Sequence, residues 1–348
     1  MKRHFAILLL LALLIACADG TNPESIASEA STPQCTPTPT AVPSATAVPT
    51  PSTTPTVEPT EEPTPTPTPE PQPFTFVVIP DTQNYVYRYS EALSAIVDYA
   101  IEKKNELNIL AVLHTGDIVE NNAFDSEWEL MRDIFAPLRG KVPFYCVAGN
   151  HDLGTGISDR NTVIHGYEPY KKYSLCDIKS EEQVYENGEC WYQLYEREGF
   201  LLVGVGNKYG LEDDLKRLAW VNEVLERYAD YPAVILTHAF LYNNGEPNET
   251  NGLYLLKHVI DGHPNIRLLL CGHHKGVKRW EKTYPDGRVF RALMYNLQNE
   301  KNAAGYCQLL TFDPVSRTLY ATSYSPYLND YNFYDKESIE TFTIENAF

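Results

Sequence analysis

Five short apolar runs in this chain each stop at a residue that can offer an oxygen or nitrogen lone pair. "VVIP" (77–80) stops at Asp81, and Ile109–Leu113 stops at His114-Thr115-Gly116-Asp117. Val142–Ala148 stops at Gly149-Asn150-His151-Asp152, Ala233–Leu236 at Thr237-His238, and Leu268–Cys271 at Gly272-His273-His274. Short apolar runs bounded by turn signals fit buried strands. Helical patterns separate several of them. "EALSAIVDYAIEKKN" puts Leu93, Ile96, Val97 and Ala100 on one face. "DSEWELMRDIFAPL", with Asp125 as its expected N-cap, and "DDLKRLAWVNEVLERY" are spaced alike. Strand and helix in alternation predict an α/β fold with parallel strand pairs. In such sheets ligands bind beyond the carboxyl ends of the strands, the edge where Asp81, Asp117, Asn150, His238 and His273 fall. One Asp after a strand is an ordinary turn residue. Five such donors on one edge repel and lose hydration unless a cation offsets both costs. Gly116, Gly149 and Gly272 are expected to let the backbone turn sharply into that site.

The first 73 residues read differently. Met1-Lys-Arg precedes an apolar stretch, 5–16 (FAILLLLALLIA), shorter than the ~20 residues a spanning helix needs. It reads as an export signal. Leu14-Ile15-Ala16-Cys17 resembles the bacterial lipobox, which implies cleavage before Cys17 and lipid on that residue. The alternative is a plain signal peptide with an incidental cysteine. Residues 23–73 carry "TPTPT" and "PTPTPTPEPQP" with few apolar side chains, too few to offset the entropy of ordering. The expected organisation is a signal peptide (1–16), a Thr/Pro-rich disordered stalk (17–73) and one folded domain (74–348). The chain is then extracytoplasmic and lipid-anchored to a bacterial membrane or cell surface.

The formal net charge of −18 argues against general nucleic-acid binding, which needs a basic surface, and suits cation binding. Of the seven cysteines, Cys146 and Cys271 sit in apolar runs as small hydrophobes. Cys176 and Cys190 flank a polar loop and are a candidate disulfide pair. No CxxC pattern points to zinc.

The ordered set Asp81-Thr82-Gln83, Gly116-Asp117, Gly149-Asn150-His151-Asp152, His238 and Gly272-His273-His274-Lys275 resembles the calcineurin-like metallophosphoesterases. Their motifs run D-x-H, G-D, G-N-H-D/E, a lone H and G-H-x-H. "PDTQ", Asn296-Leu297-Gln298, "LLTFDP" and "SYSP" are similar to a secreted bacterial branch. The resemblance implies a two-sheet β-sandwich flanked by helices, in four layers α/β/β/α. The late segments "RVFRALMYN", "GYCQLLTFD" and "RTLYATSYS" read as antiparallel strands and would complete the second sheet.

The resemblance further implies one or two divalent metal ions (Mn, Fe, Zn or Mg). Asp117 would bridge them, Asn150, His238 and His273 would complete one site, and Asp81 and Gln83 would belong to the other. His151 would act on the leaving group or donate to the phosphoryl oxygen, with Asp152 orienting it. The substrate would be a small phosphate mono- or diester. Two departures stand out: Gln83 and Lys275 replace histidines of the family pattern, and a protonated lysine has no lone pair. They leave open His274 as a substitute ligand, Lys275 as a substitute charge, and a surface binding protein with a degenerate site. A nuclease fits the net charge poorly. His114 reads equally as support for the site or as a satisfied core histidine. His165, His258 and His263 receive no role. The aromatic loop 166–192 either lines a groove or packs.

Cys17→Ser is expected to change membrane fractionation and apparent mass. Unchanged fractionation and mass would refute lipidation.

Overall fold

The computed structural model describes residues 71–154, 167–173, 175–178, 180–186, 188–207, 214–297, 305–334 and 337–348. Residues 1–70, Cys17 among them, His165 and Gln298 lie outside them.

Among the described residues the chain forms two seven-stranded sheets. Strands β1 (Phe74–Ile79), β2 (Ile109–His114) and β3 (Phe144–Cys146) start the first sheet. The second holds β4 (Val184–Tyr185), β5 (Cys190–Tyr195), β6 (Phe200–Val205), β7 (Ala233–Thr237), β8 (Ile266–Cys271), β9 (Gly276–Thr283) and β10 (Val289–Asn296). The chain then returns to the first sheet with β11 (Cys307–Asp313), β12 (Thr318–Ser325), β13 (Asp330–Tyr331) and β14 (Phe342–Ile344). The pairs β1–β2, β2–β3, β6–β7, β7–β8 and β8–β10 are parallel. This corrects one expectation. Of the three late strands only β10 joins the second sheet, whereas β11 pairs antiparallel with the free side of β1, and β12 with β11.

The apolar runs are continuous because both faces of each central strand are buried. Phe74, Phe76 and Val78 of β1 point between the sheets, toward Phe200, Leu202, Leu236, Leu270 and Phe312. Val77 and Ile79 point the other way, onto helices α1 (Ser90–Glu102) and α2 (Asp125–Phe135). The second sheet buries Leu201, Val203, Ile235 and Leu269 with residues of the helices Asp214–Arg227 and Gly252–His258. The result is the expected α/β/β/α layering. The face of α1 matches the sequence pattern, with Leu93, Ile96, Val97 and Ala100 buried. Asp125 is the first residue of α2 rather than its cap, which is Phe124; its carboxylate reaches Lys172 at 2.9 Å instead.

Two further expectations are settled here. Cys176 and Cys190 are free thiols. Cys190 lies in the helix-side core of the second sheet, with its Sγ 3.7 Å from the Arg217 guanidinium, whereas Cys176 packs beside Cys146 near β3. Tyr167, Tyr170, Tyr173, Trp191 and Tyr192 of the aromatic loop pack into the core, and Tyr170 and Trp191 also border a surface cavity of 290 Å³. Tyr170 Oη and Trp191 Nε1 both donate to the Cys146 carbonyl, at 2.8 and 2.7 Å, and Tyr173 stacks on Trp128.

Phe76 is fully buried and meets Phe200, Tyr195 and Phe312 edge-on. Phe76→Ala is expected to cost about 3–5 kcal/mol in urea unfolding. A loss below about 1 kcal/mol would show that the two sheets do not depend on this contact.

Candidate metal centre

Strand ends from both sheets build the site. Asp81 follows β1, Asp117 follows β2, and Asn150 opens the short helix α3 (Asn150–Leu153) after β3. His238 follows β7 and His273 follows β8. Asp81, Gln83, Asp117, Asn150 and His238 are buried, and His273 is half-buried.

Asp117 is the common point. Gly116 (φ 97°) and Asp117 itself (φ 52°) take left-handed backbone, which turns the carboxylate inward and is open to Gly at little cost. Gly149 serves a different need from the expected sharp turn. A Cβ there would stand 2.2 Å from Asp117 Oδ1, so only glycine lets the carboxylate lie against β3's end. Gly272 makes the same room for Asp81. Asp117 Oδ1 accepts the His151 backbone N–H at 2.8 Å, and Oδ2 lies 3.3 Å from the Gln83 amide nitrogen.

His238 sets the polarity of the cluster. Its Nδ1 lies 2.9 Å from the Thr115 carbonyl. A carbonyl only accepts, so Nδ1 carries the proton and Nε2 turns its lone pair to the cluster. Around Nε2 stand His273 Nδ1 at 3.0 Å, Asn150 Oδ1 at 3.1 Å and Asp117 Oδ2 at 3.2 Å. Asp117 Oδ2 and Asn150 Oδ1 can only accept, so a proton or a cation at His238 Nε2 completes their contacts with it. Burial opposes charge on His238, yet the Asp117 and Asp81 carboxylates lift its pKa to about 9. Burial and then His238 hold His273 down at about 3. Burial lifts Asp81 to about 7; it would lift Asp117 too, but the neighbouring imidazoles His238 and His151 draw that group below the ordinary range. The donor spacings suit a divalent ion, since ligands about 2.1 Å from one centre lie roughly 3.0–3.4 Å apart. Donor atoms of Asp117, His238 and His273 all fall within 4.8 Å of one another. A carbonyl-anchored imidazole is the usual orientation of a ligating histidine.

Beside this half lies a second, made of Asp117, Asp81 and Gln83. Gln83 Oε1 is buried without a hydrogen-bond partner, as a ligating oxygen would be. Asp81 is more constrained. Its Oδ1 accepts the His273 backbone N–H at 3.0 Å, and its Oδ2 accepts the Asn296 amide at 2.7 Å.

The sequence reading misplaced one support and overlooked two. Asp152 does not orient His151. Its Oδ1 accepts the N–H groups of Ile118 and Val119 at 2.8 and 3.1 Å, and its Oδ2 that of Gly149 at 2.8 Å. It ties the turn after β2 to the turn after β3. Burial lifts its pKa to about 7. Glu120 takes the role instead: His151 Nδ1 donates to the Glu120 carbonyl at 2.9 Å and lies 3.2 Å from its carboxylate. Burial opposes charge on His151, but Asp117 and Glu120 raise its pKa to about 9. Asn296, the last residue of β10, is the second omission. It is one more strand end carrying a polar donor, and the rule that found the other five applies to "RALMYN" as well.

His114 is a satisfied core histidine. Gly116 N–H donates to its Nδ1 at 3.1 Å, so Nε2 carries the proton and donates to Thr82 Oγ1 at 3.0 Å. Burial first, then His238, holds it at about 3. Lys275 is exposed. The His274 ring packs against Tyr242, with centroids 5.2 Å apart. His263 bonds Asn222 at 3.0 Å and His258 packs on Tyr254, both away from the cluster.

This sandwich, with its donors at one edge, has known counterparts. The sequence matches the calcineurin-like phosphoesterases over residues 74–275. The chain belongs to that family. It is 27% identical over 279 residues to the uncharacterized protein YvnB of Bacillus subtilis (strain 168), covering 76% of this chain but only 21% of that protein. In fold it is similar to the purple acid phosphatase PPD1 from yellow lupin (Lupinus luteus) seeds, with TM-score 0.55, 15% identity, and coverage of 79% of this chain and 54% of that one. It is also similar to a dimetal phosphatase from Danio rerio, with TM-score 0.53, 14% identity, and coverage of 78% and 99%.

The two halves differ in their donors: one presents two imidazoles, an amide and a shared carboxylate, the other an amide and two carboxylates. Lys275→His is expected to raise metal content toward two ions per chain, read by elemental analysis after dialysis. Two tightly held ions in the native protein, unaffected by the substitution, would refute the asymmetry.

Proposed function

We propose that this chain hydrolyses phosphate mono- or diesters, using water activated by divalent metal, outside the cytoplasm and anchored through lipid on Cys17. The observation that carries the reading is the convergence of lone pairs from Asp117, Asn150, His238 and His273, supplied by two different sheets. Asn150, His238, His273 and Asp117 would hold one ion, and Asp117, Asp81 and Gln83 the other. When bound, such ions polarise a phosphoryl oxygen, lower the pKa of water and stabilise charge on the attacking and leaving oxygens.

The chain's own groups supply the remainder. Asp152 fixes the two turns that carry Asp117 and Asn150. Glu120 holds the proton of His151 on Nδ1, leaving Nε2 as the ring nitrogen for a substrate oxygen. His151 is then the acid for the leaving group, or the donor to the phosphoryl oxygen. Gln83 and the exposed Lys275 favour a second reading, a surface binding protein that keeps the fold without turnover.

A chromogenic phosphodiester with added Mn²⁺ separates the two. The native chain should turn over, and Asp117→Asn should lose both metal and rate. His151→Ala should lower kcat by ~10²–10⁴-fold while metal content holds, and Glu120→Gln should follow it with a smaller loss. No metal-dependent rate above the Asp117→Asn background would favour the binding protein. Parallel loss of metal and rate in His151→Ala would make His151 a ligand.

A further inference from the structure

The carbonyl that holds the His151 Nδ1 proton belongs to the peptide unit joining Glu120 to Asn121. The N–H of that same peptide, on Asn121, donates to Glu127 Oε2 at 2.9 Å, and the Glu120 N–H donates to the same oxygen at 2.9 Å. A trans peptide directs its C=O and N–H to opposite sides. Glu127 therefore grips from behind the group that faces His151 Nδ1 at 2.9 Å in front. The second carboxylate oxygen, Oε1, accepts the Tyr87 hydroxyl at 2.5 Å.

Helix capping does not account for this arrangement. Glu127 is the third residue of α2 and is buried. A glutamate there ordinarily turns back to the N–H of the residue that caps its own helix. That N–H, on Phe124, donates instead to the Asn121 carbonyl at 3.1 Å, and the Glu127 carboxylate reaches past it to the turn after Asp117. Tyr87 comes from the segment after β1, one residue beyond the 3₁₀ turn Gln83–Val86, which opens with a candidate ligand. Its bond to Glu127, then burial, lifts its pKa to about 12, so it stays a donor. A carboxylate on the N–H side of a peptide polarises that unit and makes its carbonyl a stronger acceptor. The Glu127 charge thus reaches His151 through one peptide. It keeps the carbonyl aimed at Nδ1 and leaves Nε2 turned to a substrate oxygen.

We propose that Glu127 is a positioning residue for His151, acting through the Glu120–Asn121 peptide, and that Tyr87 ties this relay to the segment carrying Gln83. The kinetic part of this role rests on the hydrolysis proposed above; the geometric part does not.

Two measurements on the metal-loaded full chain test it. The first is a double-mutant cycle on the chromogenic phosphodiester. Glu127→Ala should lower kcat at least about tenfold while metal content and KM hold. In the His151→Ala background the same change should add less than about twofold, because residues that act as a unit are not additive. Equal losses in both backgrounds, or metal lost along with rate, would overturn the proposal. Glu127→Gln, whose amide oxygen still accepts the two N–H groups, should fall between the native chain and Glu127→Ala. The second measurement needs no turnover and uses Zn²⁺, which is diamagnetic. The His151 Nδ1–H, bonded to a buried carbonyl, should give a slowly exchanging imidazole N–H signal in NMR, assigned by its absence from His151→Ala. It should be lost in Glu127→Ala and kept in Glu127→Gln. Absence from the native chain, or persistence in Glu127→Ala, would overturn the proposal. A native chain without metal-dependent rate would refute the hydrolysis, and the N–H signal would then decide the positioning alone. Should Glu127→Ala unfold, Glu127→Asp, one methylene shorter, replaces it in both measurements with the same expected losses.

Discussion

Asp117 and His238 meet across the two sheets, 3.2 Å apart and both buried. A buried carboxylate and imidazole at that distance are costly to assemble and more costly to leave half-made. Much of the domain can be understood as holding them there. The aromatic layer of Phe74, Phe76, Phe200 and Phe312 keeps β1 and β6 packed face to face. The parallel register of β1 with β2 and of β7 with β8 brings their carboxyl ends level. Gly149 removes the one atom that would keep the Asp117 carboxylate out. Asp152 then joins the β2 and β3 turns through three backbone N–H groups. A change in any of these alters the separation of the donors before it alters the donors themselves.

The strands, the helices and the shared edge were legible because their signals are local. Each strand is one apolar run, and the residue that ends it is the next in sequence. The features that were not legible depend on contacts between distant segments. No local signal separates a β11 that extends the second sheet from one that pairs with the open side of β1. The role of Asp152 was misread for a related reason. Adjacency to His151 suggested a partner, but successive residues of a helical turn point in different directions, and Asp152 faces the β2 turn. Glu120, three residues after Asp117, comes back to His151 only because of how that turn folds. The proposed Cys176–Cys190 bond failed because closeness in sequence said nothing of side: one thiol faces the helix-side core of the second sheet, the other lies near β3.

The departures from the family pattern have a physical counterpart on one side of the centre alone. Around His238 stand Asp117, Asn150 and His273, and that half matches the pattern residue for residue. Around Asp81 two of the pattern's histidines are gone, and Lys275 in place of the second points to solvent. Asn296 and the His273 backbone N–H occupy the Asp81 oxygens instead. Hydrogen bonds to a carboxylate hold it charged and fixed in direction, but they compete for the lone pairs an ion would use. An ion on that side therefore has to share Asp81 with two donors and rely on Gln83, whose carbonyl oxygen brings no charge. The same two hydrogen bonds tie the β8 and β10 ends of the second sheet to the β1 end of the first. Asp81 in this chain thus acts as a bridge between sheets as well as a candidate ligand. The half with no imidazole of its own is the half where a donor side chain has been turned toward holding the fold.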